Sequence, residues 1–130
     1  MSINVEFLEN KKLKASFDGF EVFADQPESG GGNNSAPSPF DYLPAATALC
    51  AAHYARVFCE KRGLDFHEIK VSQKMEKVEQ DSSQRKILII IELPKEFPEK
   101  YHKALTATVN SCAVKKVIES APIFETILKP

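Results

Sequence analysis

Apolar and polar residues alternate through the first 25 positions: Ile3, Val5 and Phe7, then Leu13, Ala15 and Phe17, then Phe20, Val22 and Ala24. A period of two marks strands with one face buried, so three strands are predicted here. The alternation disappears between Asp25 and Ser38, a stretch of Gly, Asn, Ser and Pro that includes Gly30, Gly31 and Gly32. A loop of this length is either functional or disordered. The three glycines lack the strand-to-helix setting of a phosphate cradle and read as a flexible connection.

A helix start follows. Ser38 suits the N-cap, Pro39 the first helical position, and Asp41 supplies a shortened capping box. The helix is predicted to run to Arg62 and to stop at Gly63. Pro44 removes a backbone donor early in it and predicts a kinked or delayed first turn. Residues 45–52 are apolar nearly all round, which predicts a buried, central helix. His53, Arg56 and Glu60 form its later polar stripe.

Two strand-like runs, 69–78 and 86–93, flank a turn-prone segment at 80–83 and predict a hairpin. Residues 87–91 are continuously apolar and mostly β-branched, so that strand is expected to be covered on both faces. Pro98 opens a second helix to about Val109; Asn110 and Ser111 interrupt it, and Ser111 is expected to cap a short helix beginning at Cys112. After Pro122, residues 123–128 read as a last strand. The sum is an α+β fold in a single domain over 1–130.

Composition narrows the chemistry. Hydrophobic residues at 43% and charged residues at 27% are ordinary globular values, which argues against disorder and against a membrane protein. A formal net charge of −1 gives no field for nucleic acid or an anionic membrane, so neither is an expected partner. With neither a signal peptide nor a long apolar run in view, a cytoplasmic protein is expected. Three cysteines, none in a C-x-x-C motif, fit reduced thiols in a reducing compartment. No clustered Cys and His suggest a metal, no motif suggests a cofactor, and none is expected.

Helical geometry separates the thiols. Cys50 and Cys59 share one helix, on opposite faces and roughly 13 Å apart along the axis. A disulfide needs Cα atoms within about 7 Å. Cys112 is therefore the remaining intrachain partner for Cys50. Its place at a helix start, with Lys115 and Lys116 nearby, favours a thiolate. His53, one turn beyond Cys50, is the nearby candidate base. Spacing alone leaves the bland reading open, in which the thiols pack as small hydrophobes and His53 is structural. His67 and His102 are assigned to the surface.

Asp25-Gln26-Pro27, Gly31-Gly32, the run from Ala36 through Asp41 to Leu43, and Ala45-Ala46 leading to Leu49-Cys50 together resemble the signature of the OsmC/Ohr superfamily. Ala55-Arg56, Lys61 to Leu64, and Val109-Asn110-Ser111-Cys112-Ala113-Val114-Lys115 extend the likeness from about Asp25 to the C-terminus. The resemblance implies antiparallel sheets with a long central helix in an intertwined homodimer. It further implies a peroxidatic Cys50, which attacks an organic hydroperoxide, and a resolving Cys112, which forms a disulfide with it before a dithiol reductant restores both. Asp41 and His53 are the expected supporting residues.

The chain departs from the pattern of characterised hydroperoxidases, which marks a divergent branch. Phe40 stands where they carry a glutamate, with an acid only at Asp41; residues 1–55 contain no arginine, leaving Lys12 or Lys14 as substitutes; and Ala113 replaces a proline after the second cysteine. The alternative function is a non-enzymatic protein of the same fold that binds an apolar ligand at the dimer interface. A hot-dog thioesterase shares the wrapped-helix topology but lacks a convincing catalytic carboxylate.

Overall fold

The alternating N-terminal segment forms an antiparallel meander in the computed structural model, which describes residues 1–130. Its strands are β1 (Asn4–Phe7), β2 (Leu13–Phe17) and β3 (Phe20–Ala24), in that order. Ala15 pairs with Val5 on one side and Val22 on the other, but the buried face expected of these strands is not formed: all four β1 residues are exposed. Asp18 and Gly19 make the second turn with φ of 49° and 83°. Two consecutive positive φ angles are what a type I′ hairpin requires. Packing divides the chain into two units, Met1–Ala45 and Ala46–Pro130.

The Gly-rich loop of the first unit is not the loose connection its composition suggested. Buried Asp25 accepts bonds from Ser35 Oγ at 2.6 Å, Ser35 N at 3.0 Å and Gln26 N at 2.8 Å. The Ser35 hydroxyl, followed by these amides, holds the Asp25 carboxyl down to about 2. A Cβ on Gly32 would lie 2.1 Å from the Gln26 carbonyl oxygen, so only glycine fits that close approach. Tyr42 donates to the Phe23 carbonyl oxygen.

Helix α1 (Pro39–Lys61) begins where its capping residues place it. Asp41 Oδ2 accepts from both Ser38 N and Ser38 Oγ at 2.9 Å, so the shortened capping box is realised. Pro44 neither delays nor interrupts the helix. So near the start it removes a single ladder donor. At the other end Gly63 takes φ +64°, and Leu64 N–H donates back to the Cys59 carbonyl at 2.9 Å, a Schellman closure.

In the second unit β4 (Lys70–Val78) pairs antiparallel with β5 (Asp81–Glu92). The turn is tighter than expected: Val78 pairs with Asp81, so residues 81–83 belong to β5. α2 (His102–Asn110) and α3 (Ala113–Glu119) follow. The core gathers Ala51, Ala55, Phe58 and Cys59, which share one face of α1, with Phe97, Leu105 and Val109.

Three expectations are corrected by burial and pairing. The 45–52 segment is not enclosed all round: Thr47 and Ala51 are buried while Leu49 is 72% exposed. Residues 87–91 are only partly covered, and Ile87 is 37% exposed. Residues 123–128 form no strand and stand exposed, because a strand needs a partner edge and this segment pairs with none.

Candidate functional site

α1 carries Cys50, half-buried, one turn beyond Thr47. Buried Thr47 donates from Oγ1 to Gln73 Oε1 on β4 at 2.8 Å, which fixes this turn of the helix against the hairpin. Cys112 sits immediately before α3 and serves as its N-cap, the role the sequence had suggested for Ser111. The Cys112 Sγ accepts from Lys115 N–H at 3.4 Å. The fold also brings the Cys112 thiol near that of Cys50, close enough for the two to influence each other, although they lie on separate helical segments. All three cysteines are free thiols.

Burial pushes the Cys112 thiol above its ordinary value; the Lys115 N–H opposes this, and the neighbouring Cys50 thiol adds to it. The expectation that the helix start would acidify Cys112 is therefore corrected: α3 has only 7 residues, and desolvation outweighs its one amide contact. Cys59 lies in the core cluster, where burial likewise raises its thiol against a smaller opposing effect of Arg62.

The hydrogen bonds of Asp41 go to Ser38. His53 is exposed and packs edge-on against Tyr54 at 5.7 Å, with no hydrogen bond to a thiol. Lys14 is engaged by Glu6 at 3.0 Å and Glu21 at 3.8 Å, and Lys12 lies over the Phe23 ring. His67 pairs with Asp65 at 2.7 Å, and His102 stacks on Phe97; both are on the surface.

Sequence reasoning missed Arg85. A cavity of about 500 Å³ is lined by Thr47, Arg85, Ile87, Ile89, Cys112 and Lys115, among others. The period of two along β5 puts Arg85, Ile87 and Ile89 on one face, a signal present in the sequence.

Solved structures share this architecture at low identity. A protein from Psychrobacter arcticus 273-4, whose name ties it to the osmotic stress induced and detoxification response, matches with a TM-score of 0.72 at 20% identity, over 89% of this chain and 86% of its own. An OsmC like protein from Mycoplasma pneumoniae matches at 0.70 with 13% identity, over 92% and 87%. An organic hydroperoxide resistance protein OsmC from Legionella pneumophila matches at 0.55 with 13% identity, over 91% and 89%. At these identities the likeness establishes the fold, an OsmC-type α+β arrangement. Comparison with functionally curated proteins gave no match. The family-wide sequence profile described as OsmC-like protein matches residues 31–127, most of the chain, and this chain belongs to the OsmC-like protein family.

Proposed function

We propose that the chain is a thiol-dependent peroxidase that reduces organic hydroperoxides through Cys50 and Cys112. The observation that carries this reading is that the fold sets the two thiols near enough to interact, with Cys59 apart in the core. The Cys50 thiolate attacks the distal oxygen of the hydroperoxide. A sulfur–oxygen bond forms, the O–O bond breaks, and the alkoxide takes a proton to leave as the alcohol. Cys50 is then a sulfenic acid, oxidised by two electrons. Attack by the Cys112 thiolate on the Cys50 sulfur forms the disulfide as the S–O bond breaks, the hydroxide takes a proton to leave as water, and a dithiol reductant returns both thiols as it becomes a disulfide itself. Asp41 and His53 take no step in this scheme: Asp41 caps α1 and His53 faces away into solvent.

The reading extends to the setting. The names of two similar structures, one tied to osmotic stress and detoxification and one to organic hydroperoxide resistance, support a stress-response role. No helix is long and apolar enough to cross a membrane, which is compatible with the proposed cytoplasmic site of action. Leu49 at 72% exposed, with Ile123 and Phe124 at 98% and 89%, leaves apolar surface that a second copy would cover, supporting a homodimer. A second reading, a non-catalytic binder of apolar ligands, draws on the isoleucine-walled cavity.

Rapid-mixing oxidation of the reduced protein separates the two. The peroxidase reading expects cumene hydroperoxide to consume two thiols per chain, faster than hydrogen peroxide does. Unchanged thiol content with both oxidants would leave the binding reading.

A further inference from the structure

We infer that the hydrogen bond between Thr47 and Gln73 sets the angle of α1 at which the Cys50 thiol meets that of Cys112, which makes both residues positioning residues for closure of the disulfide. The inference deepens the peroxidase reading and rests on it for the place of that closure in turnover.

Thr47 and Cys50 stand three positions apart on α1 and so lie on one side of it. Thr47 is 4% exposed, and its bond to Gln73 Oε1 at 2.8 Å crosses from the helix to β4. Gln73 sits on the half-buried face of β4 between Val71 and Met75, and it pairs across the hairpin with Ile89. Thr47, Ile89 and Cys112 line one cavity, so the bond is made beside the wall to which the second thiol belongs. Packing alone sets this turn of α1 weakly. Alanines at 46, 48, 51 and 52 flank Cys50 on the helix, and methyl groups raise only shallow ridges against a neighbouring element. A directional bond is less forgiving, because turning the helix by about 20° carries a side-chain tip through roughly 2 Å. Such a turn would take the Thr47 hydroxyl off its partner in a buried setting, where a lost hydrogen bond is costly. The same displacement matches the length of the bond the two sulfurs must form, about 2 Å. Thr47 and Gln73 therefore hold the helix at one angle, and Cys50, one turn on, is held with it.

Thiol exchange tests this without peroxide. When the reduced chain equilibrates with oxidised glutathione, Cys50 and Cys112 lose two electrons and two protons to form their disulfide, and one glutathione disulfide becomes two glutathione thiols. The equilibrium ratio gives the effective concentration of one protein thiol at the other. Thr47→Val keeps the shape of the side chain and removes the donor, and the effective concentration should fall at least about tenfold, as a misplacement of about 1 Å produces. Gln73→Leu should do the same, and the double variant should lose no more than either single one, since all three lack one bond. Thr47→Ser restores the hydroxyl and should recover most of the parent value. Cys59→Ala weakens the core on the same helix without touching the bond, and it should leave the value unchanged. A parent-like value in Thr47→Val, a double variant that loses the sum of both singles, or an equal fall in Cys59→Ala would overturn the inference. With excess cumene hydroperoxide, slower closure in Thr47→Val should send more of Cys50 to the sulfinic acid while its first oxidation keeps the parent rate. If parent and variants alike fail to react with the peroxide but follow the glutathione pattern, the peroxidase reading falls and the two positioning residues stand.

Discussion

Lys115 N–H donates to Cys112 Sγ at 3.4 Å, and the burial of that sulfur still wins, holding the thiol above its ordinary value of 9.0. Disulfide closure needs the Cys112 thiolate, whose fraction grows roughly tenfold per pH unit below the pKa. Closure after Cys50 oxidation should therefore accelerate steadily between about pH 7 and 9, with no plateau in that range. Double-mixing kinetics of sulfenic acid decay would show it. A rate that levels off near neutrality would mean that Cys112 is ionised there.

The Asp25 carboxyl is shifted the other way, downward. It falls from 3.8 to about 2 in the folded loop, so the unfolded chain takes up its proton first as acid is added. The contribution is present above about pH 4 and is lost as the pH falls toward 2. Asp25→Asn should lower the melting temperature at pH 7 and flatten the acid limb of the stability curve. An unchanged acid limb would show that the Ser35 contacts do not stabilise the folded loop.

The same loop separates two neighbouring glycines. Gly32→Ala drives a methyl into the Gln26 carbonyl, while at Gly30 the nearest atom to a Cβ lies at an ordinary 3.6 Å. Gly32→Ala should cost at least about 2 kcal/mol, and Gly30→Ala well under about 1 kcal/mol. Denaturant unfolding measures both; equal values would contradict this loop geometry.

Cys50→Ser should abolish hydroperoxide consumption. Cys59→Ala should leave it within about twofold while costing about 1 kcal/mol of stability, since Cys59 is fully buried in the core. A steady-state assay with a dithiol reductant decides, and loss of turnover in Cys59→Ala would bring that thiol into the mechanism.

The exposed apolar side chains on α1 and at the C-terminus make a quaternary prediction. Multi-angle light scattering at micromolar concentration should give about twice the 14.5 kDa chain mass. Phe124→Asp, at a position 89% exposed in the single chain, should shift the protein toward monomer without unfolding it. A monomeric parent protein would contradict the homodimer.

Local signals made much of this fold legible. Alternation placed β1 to β3, and Ser38, Asp41 and Gly63 marked the ends of α1, because caps and periodicity act between near neighbours. What stayed hidden depends on distant partners. Asp25 reads as an ordinary loop residue until Ser35 folds onto it, and an apolar run at 123–128 becomes a strand only beside an edge that this chain does not offer it. The thiols divide in the same way. Helical spacing could set Cys59 apart from Cys50, but burial of Cys112 reversed the acidity its helix start had suggested. Arg85 was one alternation away from Ile87 and Ile89 and became part of a site only when α3 closed the cavity.

The pairing of Cys50 with Cys112 is tested most directly by oxidising the reduced protein with one equivalent of cumene hydroperoxide and mapping its peptides without reduction. The account predicts a Cys50–Cys112 disulfide with Cys59 recovered as the free thiol. A disulfide that includes Cys59, or Cys50 driven to the sulfinic acid while Cys112 stays reduced, would contradict it.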